Sequence, residues 1–115
     1  MRNYSKTVLT INTTQTKQVS VSITSEDIED VCIEKYEPRS SQIVLLAIEE
    51  AIGSAKKKLQ DITEIRVHTG PGSFTGIRVG IAVAQSLGKL FTIPVLSERG
   101  GAITPRYGDN KWDTP

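Results

Sequence analysis

The sequence predicts a single α/β domain, a mixed β-sheet with helices packed against it in the order βββαβαβ. Three observations carry this. Val19, Val21 and Ile23 alternate with Ser20, Ser22 and Thr24, the period-two pattern of a half-buried strand. Leu45, Ile48, Ile52, Ala55 and Leu59 recur at steps of three and four, as on one face of a helix. Beyond Leu59, short β-rich runs alternate with a further helical pattern, and each such crossover must return a strand to the same sheet.

The first strand is expected at Val8-Leu9-Thr10-Ile11, joined to the second by the polar turn Asn12-Thr13-Thr14-Gln15-Thr16-Lys17. A third strand around Val31-Cys32-Ile33 is closed by Pro38. Ser40 or Ser41 caps a first helix that runs to about Leu59, with Val44, Ala47 and Ala51 as a second apolar row. Glu49 and Glu50 precede Lys56, Lys57 and Lys58, a charge order that suits the helix dipole, and the three lysines read as a solvated last turn. Ile65-Arg66-Val67-His68-Thr69 reads as a strand, Thr75 to Phe91 as the second helix, and Ile93-Pro94-Val95-Leu96 as a brief last strand. Residues 1–97 then form the domain. Residues 98–115 form an irregular tail, broken by Gly100, Gly101, Pro105 and Gly108, with Tyr107 and Trp112 as its anchors.

Composition narrows the function. With 37% hydrophobic and 23% charged residues the chain has ordinary globular usage, which argues against disorder or a fibre. Fourteen basic side chains against thirteen acidic ones give a net charge of +1, so no overall field draws the protein to a phosphate backbone or an anionic membrane. Cys32 is the only cysteine, which rules out an internal disulfide and fits a reducing cytoplasm. One histidine and no His-Glu-x-x-His helix leave zinc proteolysis without a ligand set. No apolar run reaches the length of a membrane span.

Chemistry concentrates in Thr69-Gly70-Pro71-Gly72-Ser73-Phe74-Thr75-Gly76, a glycine-rich turn from strand to helix in which Ser73 can cap the helix. Free N–H groups at such a start suit an anion, yet the segment matches neither the Walker nor the dinucleotide pattern. The helix behind it carries Gly76, Gly80, Ala84 and Gly88 at steps of four. Each glycine costs a helix interior about 1 kcal/mol relative to alanine, so the stripe implies close backbone approach. With Ile77, Val79, Ile81, Val83, Leu87 and Leu90 spread around its axis, this helix needs cover on more than one side: the sheet on one, and a partner subunit or the first helix on another. His68 lacks Asp, Ser or Cys partners in the pattern and reads as structural, and Cys32 as a strand residue.

Gly70-Pro71-Gly72-Ser73-Phe74-Thr75-Gly76-Ile77-Arg78-Val79-Gly80 resembles the signature turn and helix of the TsaB (YeaZ) family. Ile93-Pro94-Val95 matches the strand expected after it, Arg39-Ser40-Ser41-Gln42 is similar to the start of the family's first helix, and Ile11-Asn12-Thr13-Thr14 stands where the family carries an Ile-Asp-Thr-Ser type of loop. The resemblance spans about residues 7–97. It implies an actin-like, ribonuclease H-like lobe, an order of elements that the strand and helix pattern also satisfies.

It implies a cytoplasmic accessory subunit that performs no chemistry, needs no cofactor or metal of its own, and pairs through its two helices with TsaD, the subunit that transfers a threonylcarbamoyl group to the adenosine beside the tRNA anticodon. A TsaE-like ATPase joins the same assembly, tRNA contact is at most indirect, and a homodimer forms when no partner is present. The expected partner interface is Leu45, Ile48, Ile52, Gly76, Val79, Gly80, Val83, Ala84 and Leu87. Two departures stand out. The family has two such lobes and these residues hold one, and Asn12 replaces the loop aspartate, removing a carboxylate that actin-like ATPases use near metal and phosphate. A minimal nucleotide binder, with Thr13, Thr14 and Ser73 on phosphates, is the alternative from another class.

Overall fold

The computed structural model describes residues 6–15, 17–36 and 40–103. Pro38, Arg39, Tyr107 and Trp112, singled out in the sequence, lie outside them. The elements are β1 (Thr7–Asn12), β2 (Val19–Ser25), β3 (Val31–Lys35), α1 (Ser41–Ala55), a 3₁₀ turn (Leu59–Asp61), β4 (Glu64–Val67), α2 (Phe74–Phe91) and β5 (Val95–Ser97). They form one five-stranded sheet in the order β3-β2-β1-β4-β5. β2 pairs antiparallel with β1 and β3, while β4 lies parallel to β1 and β5 parallel to β4. This is the mixed α/β arrangement, in the βββαβαβ order, that the alternation and the helical steps predict.

Period-two burial fixes which face is covered. Leu9 and Ile11 of β1, Val19, Val21 and Ile23 of β2, and Ile65 and Val67 of β4 are fully buried under the helices. α1 lies over β2 and β3, α2 over β1, β4 and β5, and the two helices touch each other. Val44, Ala47 and Ala51 point down from α1, and Ile77, Val83 and Ala84 from α2. Because β3, β4 and β5 all run the same way, each crossover helix returns against them. α1 and α2 therefore run side by side in the same direction, with their N-termini at one end.

Boundaries differ from the sequence expectation for identifiable reasons. Ser40 caps α1, its Oγ accepting from the Ile43 amide at 3.2 Å. The helix stops at Ala55 rather than Leu59, because Lys56 takes a left-handed conformation (φ 57°) and its amide turns back to the Gly53 carbonyl. Leu59 returns to the core from the 3₁₀ turn, packed against it though no longer on the helix. Lys57 is not part of a solvated turn: its ammonium lies 2.8 Å from the Asp27 carboxylate, with only 15% of the side chain exposed. β4 ends at Val67, so His68 and Thr69 belong to the following turn. β5 begins at Val95, since Pro94 has no amide to give the ladder and Ile93 donates its own to the Gly88 carbonyl at the end of α2.

Candidate functional site

Two loops meet at the end of the sheet where the helices start. Asn12 Oδ1 accepts from the Thr14 amide at 3.0 Å and from Thr14 Oγ1 at 2.7 Å, closing the β1 end into a turn. Thr13 is fully buried and donates its hydroxyl to the Gly76 carbonyl in the first turn of α2. The Ser73 amide donates to the Thr14 carbonyl at 3.1 Å, and Ser73 Oγ caps the Gly76 amide at 3.3 Å. Gly70 holds φ 114°, a value that demands glycine, and the Gly70–Pro71 bond is cis. The Thr13 hydroxyl and the Ser73 amide thus tie one loop to the other, while the Thr14 hydroxyl is held by Asn12 in its own loop and Ser73 Oγ caps its own helix. The expected helix cap is present, and the Thr13 and Thr14 hydroxyls and the Ser73 and Gly76 amides already have protein acceptors.

The glycine stripe belongs to this junction. A Cβ on Gly80 would fall on Thr13 Oγ1, closer than the 3.0 Å that real Cβ atoms respect, and one on Gly88 would fall on the Val95 side chain. Gly76, Gly80, Ala84 and Gly88 are all buried inside the chain. The stripe therefore records close approach, as its helix cost implied, but to the β1 loop and β5 rather than to another helix. Of the expected interface residues, Gly76, Gly80 and Ala84 lie on this row and are buried within the chain. The row Phe74, Arg78, Ala82, Ser86, Leu90 runs two positions away, about 200° around the axis, so the two rows face opposite ways.

Of the remaining candidates, Leu45 is 46% exposed and Ile52 and Val79 are half-buried. Ile48, Val83 and Leu87 are buried, yet each forms part of the floor of a hollow on the outer helix surface. One hollow is lined by Leu45, Leu46, Ile48, Glu49, Ile52 and Leu59, and a second by Ser41, Phe74, Thr75, Arg78, Val79 and Ala82. A third, between Leu45 and Leu90, joins the two helices. Leu46 (44% exposed) and Leu90 (75%) were missed as face residues. The step of four from Phe74 through Arg78, Ala82 and Ser86 to Leu90 was the available signal, since it mixes polar and apolar residues and so faces out.

The other face of the sheet carries no helix among the described residues. Val8, Thr10, Thr24, Arg66, His68 and Glu98 line a shallow depression there. Burial holds the His68 imidazole below its usual range, with the Glu98 carboxylate pulling the other way. Partial burial pushes Glu98 up, but hydrogen bonds from the Thr69 amide (3.0 Å) and hydroxyl (3.2 Å) outweigh it and leave the group below the ordinary carboxylate range. Arg66 is engaged by Glu64. Thr69 and Glu98 thus clasp the β4 and β5 ends together beside His68. Cys32 is an exposed residue of β3, 3.7 Å from Ser20 Oγ. Among the described residues there is no group of three His, Cys, Asp or Glu placed to hold a metal ion, and no helix is long and apolar enough to cross a membrane.

Comparison with known proteins joins this geometry to a family. Residues 21–98, about two thirds of the chain, match the family described as TsaD: tRNA N6-adenosine threonylcarbamoyltransferase. The tRNA threonylcarbamoyladenosine biosynthesis protein TsaB of Escherichia coli (strain K12) is 29% identical over 83 residues, covering 72% of this chain and 36% of that protein. The TsaB of Buchnera aphidicola subsp. Schizaphis graminum is 40% identical over 52 residues, covering 45% of this chain and 25% of the relative. Among solved structures, YeaZ from Pseudomonas aeruginosa superposes with a TM-score of 0.73 at 29% identity, over 80% of this chain and 43% of the other. The chain thus spans less than half the length of these relatives. With the signature turn, the sheet order and the two parallel helices all accounted for, the chain belongs to the TsaD family, and its TsaB and YeaZ relatives place it with the TsaB/YeaZ proteins.

Proposed function

We propose that this chain takes part in tRNA threonylcarbamoyladenosine biosynthesis as a non-catalytic partner of a TsaD-type transferase, in the cytoplasm, and that it presents the outer surface of α1 and α2 to that partner. The observation that carries this reading is the concentration of exposed large apolar side chains on the outer helix surface: Leu45, Leu46 and Leu90. Monomers rarely leave a continuous apolar face in water unless something covers it. A pair of parallel helices flanked by hollows is the surface that two further helices would pack into, ridge against groove. The names of the TsaB relatives supply the pathway. A TsaE-like ATPase belongs to the same assembly, and the near-neutral charge keeps tRNA contact indirect.

The nucleotide-binding alternative loses support from the junction itself, because Thr13, Thr14 and Ser73 already donate to or cap protein groups and Asn12 brings no carboxylate. Self-association through the same helix face fits a twofold pair, since that surface need only complement itself. The test is copurification with the TsaD-type transferase of the source organism, followed by sedimentation of the mixture. A stoichiometric complex supports the reading. A transferase and a chain that sediment separately at micromolar concentration refute it.

A further inference from the structure

Resting on the reading of the helix face as the transferase-docking surface, we infer that Arg78 and Glu49 set the orientation of the docked partner, which must carry a carboxylate opposite Arg78 and a cation opposite Glu49. Arg78 is exposed on α2 with its guanidinium carbon 5.2 Å from the centre of the Phe74 ring, so one face of the cation is held against an aromatic plane. It lines a hollow with Ser41, Thr75, Val79 and Ala82, in which no lining residue is acidic. Glu49 lies eight residues beyond Ser41, about 12 Å along α1, in the neighbouring hollow, whose lining holds no cation. Among the described residues neither side chain enters an ion pair, so both charges are open to a partner.

An apolar stripe alone lets a partner helix slide or reverse, because dispersion and burial have little direction. Two opposite charges at different heights remove that freedom. A partner docked the right way round meets each with its complement, and a reversed one brings like charges together, which is penalised at a desolvated contact. Thr75 and Ser41 add hydroxyl donors beside Arg78, suiting a carboxylate with its several acceptor sites. Arg78 also favours that choice by its planar, forked donors.

The experiment measures affinity for the TsaD-type transferase by titration calorimetry at low and high salt, for the native chain, Arg78→Glu, Glu49→Lys and the neutral Arg78→Gln, with thermal unfolding as a check on folding. Each charge reversal is expected to weaken binding about tenfold or more at low salt, and Arg78→Gln to flatten the salt dependence while losing less affinity. Native-like affinity and salt dependence in both reversed variants overturn the inference while leaving the docking surface intact. Reversals that weaken self-association and not transferase binding overturn it too, by giving these charges to a second copy. A native chain that does not bind the transferase at all refutes the underlying reading instead.

Discussion

Replacing Gly80 by alanine is expected to destabilise the isolated protein, although on an open helix surface the same change would strengthen it. Alanine gains about 0.8–1.0 kcal/mol of helix propensity over glycine. Against this, the new methyl falls on Thr13 Oγ1, the hydroxyl of a fully buried residue. Overpacking of such a site costs about 1–3 kcal/mol, and pushing Thr13 off the Gly76 carbonyl forfeits about 0.5–1.5 kcal/mol more. The net expectation is a loss of about 1–3 kcal/mol, or a fall in Tm of several degrees, since about 1 kcal/mol moves Tm by roughly 4–8 °C in a domain this small. Gly53 is the internal control: a Cβ there meets nothing within 4 Å, so Gly53→Ala should raise Tm. Adding Thr13→Ala to Gly80→Ala should recover part of the loss, giving a non-additive cycle. Thermal and urea unfolding of Gly80→Ala, Gly53→Ala, Thr13→Ala and the Thr13→Ala/Gly80→Ala double variant decides it. If Gly80→Ala stabilises as much as Gly53→Ala, the glycine stripe does not pack against the β1 loop and the account of the junction is wrong.

Further outcomes follow from the same contacts. Asn12→Asp keeps the acceptor that holds Thr14 and should leave unfolding nearly unchanged, whereas Asn12→Ala removes it and should cost about 0.5–2 kcal/mol; equal losses in urea unfolding would show that the turn does not depend on that oxygen. The Lys57 ammonium, with help from Ser25, lowers the Asp27 carboxyl from 3.8 to about 2. A depressed carboxylate stabilises the fold above its unfolded value, and that contribution disappears as pH falls from near 4 through about 2, so Lys57→Met should flatten the acid-unfolding curve in this window. An unchanged curve would mean the pair does not persist in solution. Purified protein with magnesium and ATP should release no phosphate, and turnover abolished by Thr13→Ala would establish the nucleotide site that the loop geometry disfavours.

The buried face of β2 was readable because alternation has only one meaning once a sheet buries one face: Val19, Val21 and Ile23 had to share a side, and they do. The Ser73 cap and the Asn12 turn were readable for a similar reason, each being a local bond between a short polar side chain and nearby backbone. The end of α1 was not, because Leu59 continues the helical step while reaching the core through a different turn, and Lys56 adopts a left-handed cap without the glycine that usually announces one. The glycine stripe announced a close neighbour but not its identity. Periodicity gives an angle around a helix axis, and only the fold says whether that angle points at a loop, a sheet or another molecule. Leu90 shows the converse: its apolar character argues for burial, and its position on the Phe74–Arg78–Ala82–Ser86 row leaves it 75% exposed.

That exposed row makes the central claim measurable. Leu45→Glu and Leu90→Glu combined place two charges on the helix face while leaving the inner face untouched, so Tm should change little. If a TsaD-type transferase packs over this surface, the charges must be desolvated and about 1.5–3 kcal/mol of apolar burial is lost at each leucine. Titration calorimetry should then show affinity for the transferase falling by at least about a hundredfold relative to the native chain. Native-like affinity in the double variant, with unfolding unchanged, would contradict the account and place the partner elsewhere on the molecule.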